Sequence, residues 1–148
     1  MTNDWVLSRL DRFYPIHRLA FARLLNVLRR DFDGDLDAML VLLTLSLGTQ
    51  RANWRGALLE GADSSAPTRL TNTASIAEAT GIPRESVRRK LQWMESKGWI
   101  VRDENNQWAP TARAAEDLRD GTMETVNFIR AIGAAVIAEI DGPDDPGA

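Results

Sequence analysis

Between Ile16 and Arg30, apolar residues return every three or four positions, as Ala20, Phe21, Leu24, Val27 and Leu28. That period predicts an amphipathic helix. Before it, Trp5, Val6, Leu7, Leu10, Phe13 and Tyr14 form a separate apolar piece that Pro15 is expected to end. The run DFDGDLD, Asp31 to Asp37, breaks at Gly34, and its aspartates suit the N-terminus of a helix starting near Asp35 or Leu36. That helix is apolar almost all round through Leu47, so it is expected at the centre of the core. Gln50 to Glu60 reads as a continuing helical segment, and Gly61 to Pro67 as a loop by composition. Near the end, Ala112 to Ile140 reads as helix kinked at Gly121. Its stripe is Val126, Ile129, Gly133, Val136 and Ile140, widened by Phe128, Ile132 and Ile137. The tail DGPDDPGA is acidic and rich in Pro and Gly, which predicts disorder.

The middle of the chain carries a denser pattern. Asn72 or Thr73 can cap a helix through Ser75, Ile76, Ala77, Glu78 and Ala79, and Ser75 and Glu78 have capping-box spacing. Gly81 follows where the chain must turn, Ile82 can fill the angle between two helices, and Pro83 suits a helix start. A second helix is expected from Arg84 to Lys97, burying Val87, Leu91 and Met94 at i, i+4 and i+7. Arg84, Glu85, Ser86, Arg88, Arg89, Gln92 and Trp93 then lie on its other faces. Gly98 ends that helix. Two short strands, Trp99 to Arg102 and Gln107 to Ala109, flank the turn residues Asp103 to Asn106, which predicts a β-hairpin. Thr111 can cap the helix beyond it.

Charge sharpens this picture. The whole chain is acidic, with a net charge of −3. Between Arg69 and Arg113, however, eight basic residues face five acidic ones, a local balance of +3 that leaves −6 for the remainder. A basic segment within an acidic chain is a local electrostatic footprint of the kind a DNA-reading face needs. Arginines at the start of a helix can pair with guanine O6 and N7, and neighbouring basic or hydroxyl groups can anchor phosphates. The candidate DNA-binding residues are Thr73, Ser75, Arg84, Glu85, Ser86, Arg88, Arg89, Lys90, Gln92 and Arg102. Thr73 and Ser75 would offer hydroxyls and backbone N–H groups to phosphate. Lys90 would face phosphate rather than bases, and Arg102 would be the contact from the hairpin.

The run S-I-A-E-A-T-G-I-P-R-E-S-V-R-R-K-L-x-x-M-x-x-K-G-W-I resembles the winged helix-turn-helix of bacterial transcriptional regulators. The order of flanking helices is similar to that of MarR-type regulators. The resemblance covers Arg69 to Ala114, under a third of the chain. It departs from the MarR pattern in the extra Gln50 to Pro67 segment and in the acidic Asp103 and Glu104 of the wing. It implies a mainly α fold with a small β-hairpin wing, the second helix in the major groove, and terminal helices that dimerise. The segments would be an N-terminal helical region (1–60), the winged unit (61–114), a C-terminal dimerisation helix (115–140) and an acidic tail (141–148). The expected function is a sequence-specific, cytoplasmic, homodimeric repressor on double-stranded DNA with inverted-repeat symmetry. The resemblance also allows an unidentified small-molecule effector, for which no residue here specifies a ligand.

Other chemistry has little footing. There is no cysteine, which removes disulfides, thiolate metal sites and thiol nucleophiles. His17 stands alone, and Asp31, Asp33, Asp35 and Asp37 read as a loop and helix start rather than a calcium loop, whose closing glutamate is missing. Neither a Gly-rich phosphate loop nor a nucleophile elbow occurs. No enzyme activity and no cofactor are expected. The longest apolar stretch, Ala38 to Gly48, is short of the roughly 20 residues that cross a bilayer, and the N-terminus has no signal-peptide pattern. The competing expectation is a winged-helix module that binds protein rather than DNA, motivated by the acidic chain and acidic wing tip.

Overall fold

The structure is a computed structural model that describes residues 1–47, 54–60 and 72–142. Arg69, the Gly61 to Pro67 segment, Gln50 to Asn53 and the end of the acidic tail lie outside the described residues. The fold is mainly helical with one antiparallel hairpin. In chain order the helices are α1 (Asn3–Leu7), α2 (Leu10–Asp31), α3 (Leu36–Leu47), α4 (Trp54–Leu59), α5 (Thr73–Thr80) and α6 (Arg84–Ser96). The strands β1 (Ile100–Arg102) and β2 (Trp108–Pro110) follow, then α7 (Ala112–Asp117) and α8 (Arg119–Asp141). Among the described residues no helix is long and apolar enough to cross a membrane.

The chain divides into two compact units, Met1–Val27 with Met123–Ala148, and Leu28–Thr122. The second holds the main core. Val41, Leu45, Ile76, Val87, Leu91 and Met94 are fully buried there, with Phe32, Trp99, Ile100 and Trp108 around them. Helix α3 packs on α5, α6 and β2, and α4 on α7. The role of α3 is more one-sided than an all-round apolar sequence predicts. Ala38, Val41, Leu42 and Leu45 are buried, while Leu36, Leu40, Leu43 and Leu47 stand exposed on the opposite side. A helix has two sides, and the neighbours of α3 in this unit cover one of them.

Local chemistry explains most boundaries. Asp35 precedes α3 and its Oδ1 accepts from the Ala38 N–H at 3.0 Å, as expected of an N-cap. Thr111 caps α7 by accepting from the Ala114 N–H, and its hydroxyl donates to the Gly98 carbonyl at 2.6 Å, which ties the foot of the hairpin together. The hairpin register is Ile100↔Pro110, Val101↔Ala109 and Arg102↔Trp108.

Three sequence expectations are corrected. Pro15 does not end a helix; it lies inside α2. It has no N–H to donate one turn back, a defect that costs a helix interior about 3 kcal/mol. Side-chain contacts on its C-terminal side offset this, since His17 stacks on Phe21 at 5.3 Å and meets Phe128 edge-on at 6.0 Å. The C-terminal helical run breaks at Leu118, not Gly121. Asp117, just before the break, is bound by Trp99 and Arg113, and Leu118 packs on the core. Gly121 instead permits close approach: a Cβ there would sit 3.0 Å from Asp31 Oδ2 and 3.2 Å from Leu28 Cδ2. Finally, the helix over Ser75 starts at Thr73, so Asn72 is its cap and Ser75 its third residue; Ser75 and Glu78 do not form the capping box.

Candidate nucleic-acid interface

Helices α5 and α6 meet through a short joint, Gly81 to Pro83. Gly81 adopts φ +70°, a left-handed conformation that costs glycine little, and its N–H closes on the Ala77 carbonyl at 2.9 Å. The Thr80 hydroxyl donates back to the Ile76 carbonyl at 2.7 Å and accepts from the Ile82 N–H at 3.3 Å. Ile82 is buried between the helices, as its position predicts. Pro83 stands at the N-cap rather than the first helical position, with ψ 135°, and Arg84 opens α6. The joint therefore contains few free backbone groups and a buried apolar plug, which fixes how α6 leaves α5.

Val87, Leu91 and Met94 anchor one face of α6 in the core, each at 1 % exposure or less. Periodicity then forces Arg84, Glu85, Arg88, Arg89 and Gln92 outward, and all five are exposed. Ser86 is part-buried. Arg88 grips Glu85 through two bonds, Nη2 to Oε1 at 2.6 Å and Nε to Oε2 at 2.9 Å. That hydrogen bonding raises Arg88 above its ordinary value and holds Glu85 below the usual carboxylate range. Both stay charged at neutral pH, so the pair is neutral as a unit. Arg89 Nη2 reaches Ser86 Oγ at 3.5 Å. The exposed face thus presents Arg84 and Arg89, with Arg89 close enough to Glu85 to help hold its carboxylate charged, plus Arg88 held in a planar fork by that same glutamate.

Two predicted contacts are engaged elsewhere. Lys90 is turned from the outer face: its Nζ bonds Asp35 Oδ2 at 2.5 Å and its side chain is only 16 % exposed. Asp35 lies below its ordinary value; partial burial pushes it up, but the bonds from Lys90 and Ala38 outweigh that. Lys90 serves as a strut between α6 and the start of α3, because the Asp35 cap places a carboxylate within its reach. Ser75 also has partners: both its backbone N–H and its hydroxyl reach Asn72 Oδ1, at 3.0 and 3.2 Å. Thr73 opens α5 with a part-buried side chain.

On the hairpin, Arg102 is exposed and its guanidinium lies 5.3 Å from the Trp108 ring centre, a cation–π contact across the strand pair. The sequence places Asp103 in the turn and marks it as an acidic charge of the hairpin. In the fold its Oδ1 accepts from Asn105 N–H at 2.9 Å and Gln107 N–H at 2.8 Å, so it builds the turn, with Asn106 at φ +58°. The sequence predicts the turn; the two hydrogen bonds to the Asp103 side chain are what the structure adds. The hairpin is seated by Trp108 and Trp99, both buried. Trp99 Nε1 donates to Asp117 Oδ2 at 2.9 Å; this bond, and then Arg113, hold Asp117 below the usual carboxylate range. Trp93, whose place the sequence leaves open, packs edge-on against Trp99 at 5.4 Å, and Lys97 Nζ covers both rings.

Asp33, Gly34, Asp35, Asp37 and Lys90 line a shallow open depression, but no group of three His, Cys, Asp or Glu able to hold a metal occurs among the described residues. Compared with protein-family models, curated proteins and solved structures, the chain has no match.

Proposed function

We propose that this protein is a homodimeric, sequence-specific DNA-binding transcriptional regulator of the winged helix-turn-helix type. Helix α6 would enter the major groove, and the β1–β2 hairpin would be the wing. The observation that carries this reading is the two-sidedness of α6. Val87, Leu91 and Met94 lock one side in the core, and Arg84, Arg88, Arg89 and Gln92 line the side left to solvent. Arginine forks match guanine edges and phosphates, and glutamine matches adenine. Arg102, held over Trp108, would reach the flanking backbone. Lys90 has no part in this contact set. The homodimer would form through Ile16 to Arg30 and Met123 to Ile140, giving two α6 helices for two half-sites. Occupying promoter DNA would make it a repressor.

The test is selection of bound duplexes from a random pool by the purified chain, followed by anisotropy across a salt series. An enriched inverted repeat with a steep salt dependence is expected. A folded protein that enriches no sequence at low salt would overturn the reading. The Glu85–Arg88 pair favours a second reading, since a helix face that neutralises its own arginine also suits a protein partner. Arg88→Ala with Arg89→Ala separates the two: lost duplex binding in a folded variant supports DNA reading. A parent chain that binds a protein partner and no duplex supports the other.

A further inference from the structure

Neighbouring arginines on the outward face of α6 are held differently. Arg89 reaches one oxygen, Ser86 Oγ, at 3.5 Å. Arg88 is gripped at two points by one carboxylate, Nη2 on Glu85 Oε1 at 2.6 Å and Nε on Oε2 at 2.9 Å. An acid in the first turn of a helix is favoured by the helix dipole whatever its partner, so Glu85 alone says little. An exposed ion pair also adds little to stability, and the Glu85 and Arg88 side chains are 65 and 53 % exposed. The consequence of the pair lies in which edge of the guanidinium it uses.

Arginine carries one N–H on Nε and two on each Nη, all in one plane. Glu85 takes the side edge, formed by the Nε N–H and one N–H of Nη2. The end edge stays free: the second N–H of Nη2 and one of Nη1 point the same way, outward along the side chain. Two parallel N–H groups match the O6 and N7 acceptors that guanine shows in the major groove. A clamp on the side edge therefore leaves the base-reading edge open. It also fixes the plane and direction of that edge before any contact is made, so less rotamer freedom is lost on binding. The clamp has a firm base. Val87, between the two residues, is fully buried and Leu91 is 1 % exposed, so this part of α6 is fixed on the core.

Charge acts in the same direction. A free arginine is drawn to any phosphate, on any sequence. Beside Arg88 the Glu85 carboxylate offsets that pull and repels phosphate. Bonding from Arg88 holds Glu85 below the usual carboxylate range, with the nearby Arg89 charge adding to this, so it stays ionised near neutral pH. Discrimination is a difference of affinities, and a group that weakens the wrong contacts raises it as surely as one that strengthens the right ones.

We infer that Glu85 is a positioning residue for base reading: it clamps the side edge of Arg88, aims the end edge at a guanine and keeps that arginine off the phosphates. This rests on the DNA reading of the proposed function. It adds the base that Arg88 demands and the residue that enforces the demand without touching DNA.

The test uses the full chain, the operator it selects, and duplexes carrying each other base pair at every operator position. Arg88→Ala should erase preference at one pair of each half-site, and that pair should be G·C. Glu85→Gln keeps the shape of the side chain and removes its charge. It should lower discrimination at that same pair about tenfold and leave the other positions as they were. It should also tighten binding to a scrambled duplex, with a salt slope steeper by about 1 per chain. In an Arg88→Ala background, Glu85→Gln should change discrimination no further. A residue that merely stabilised α6 would weaken all duplexes alike. Full discrimination in Glu85→Gln would overturn the inference. So would an Arg88-dependent pair that is not G·C, or a further loss in the Arg88→Ala background, which would make Glu85 itself a base contact. A measurement without DNA checks the clamp. In nitrogen NMR relaxation the Arg88 Nε–H should be more ordered than that of Arg84, and should lose that order in Glu85→Gln. An equally mobile Arg88 in the parent chain would overturn the inference whatever the DNA result. A parent chain that enriches no duplex removes the proposed function and this inference with it. An operator read by the parent, with discrimination unchanged in Glu85→Gln, counts against Glu85 alone.

Discussion

The two units solve the same problem differently. Both are built from helices with apolar residues at steps of three and four. In Leu28–Thr122 those residues meet one another: Val41, Leu45, Ile76, Val87, Leu91 and Met94 lose essentially all contact with water. In the unit that contains most of α2 and α8, the only buried hydrophobic residue is Ala20 among the described residues. Leu10, Tyr14, Leu19, Ile129, Ile137 and Ile140 stay substantially exposed. An amphipathic pattern therefore states that a face wants burial, without saying whether the same chain supplies it. One unit is a finished core that holds the exposed face of α6 in place. The other carries apolar faces that the described residues leave largely uncovered.

Substitution in the two units should separate them most sharply. Leu91→Ala, in the finished core, is expected to cost about 2–5 kcal/mol in denaturant unfolding, the range for truncating a fully buried leucine. Ile129→Ala, measured at a dilution where the chain is monomeric, should shift stability by less than about 0.5 kcal/mol. Equal losses would remove the distinction.

Next come the α6 arginines, which ride on that core without being part of it. Arg89→Ala should lower operator affinity by about 1–3 kcal/mol in anisotropy titrations while the unfolding midpoint stays put. An affinity that does not move would take Arg89 out of the interface. Thr111→Ala removes both the α7 cap and the bond to the Gly98 carbonyl, and should cost about 1 kcal/mol. The fluorescence of Trp99 and Trp108, the buried rings that seat the hairpin, is the accompanying readout.

Lys90→Met is expected to be smaller still. It breaks a partly exposed pair with Asp35, worth up to about 1 kcal/mol, and should leave the salt slope of DNA binding unchanged. A slope that falls by about 1 would return Lys90 to the phosphate contacts. The least effect is expected from acid. Asp117 and Asp35 have lowered values in the folded chain. Their contribution is complete above the unfolded aspartate value of about 3.9, and it is lost as pH falls through the lowered folded values. Asp117→Asn should flatten the acid side of the stability profile; a profile identical to the parent's would show that the Trp99 and Arg113 bonds do not bind the charge.

Much of the α5–α6 joint and hairpin can be read from residues close in sequence. Gly81 turns, Ile82 plugs, Thr111 caps, and Val87, Leu91 and Met94 face inward, because each depends on backbone preference or on a period within one helix. Lys90, expected to face phosphate, is instead paired with Asp35 in the fold, for the opposite reason. Its helix follows from local pattern, but its partner Asp35 lies 55 residues away, and no local rule connects them. Asp103 differs again: its charge is plain in the sequence, while its hydrogen bonds depend on how the turn closes.

The amino-acid order by itself determined where helices run, where most of them start and stop, and which side of α6 is apolar, since these follow from steric and hydrogen-bond preferences within a few residues. Only the tertiary structure decided which apolar faces found cover. It buried one side of α3 and left Leu40, Leu43 and Leu47 outside, carried α2 through Pro15, and moved the C-terminal break from Gly121 to Leu118. Each of those outcomes depends on what a distant segment brings alongside, and burial is a property of that meeting rather than of either stretch alone.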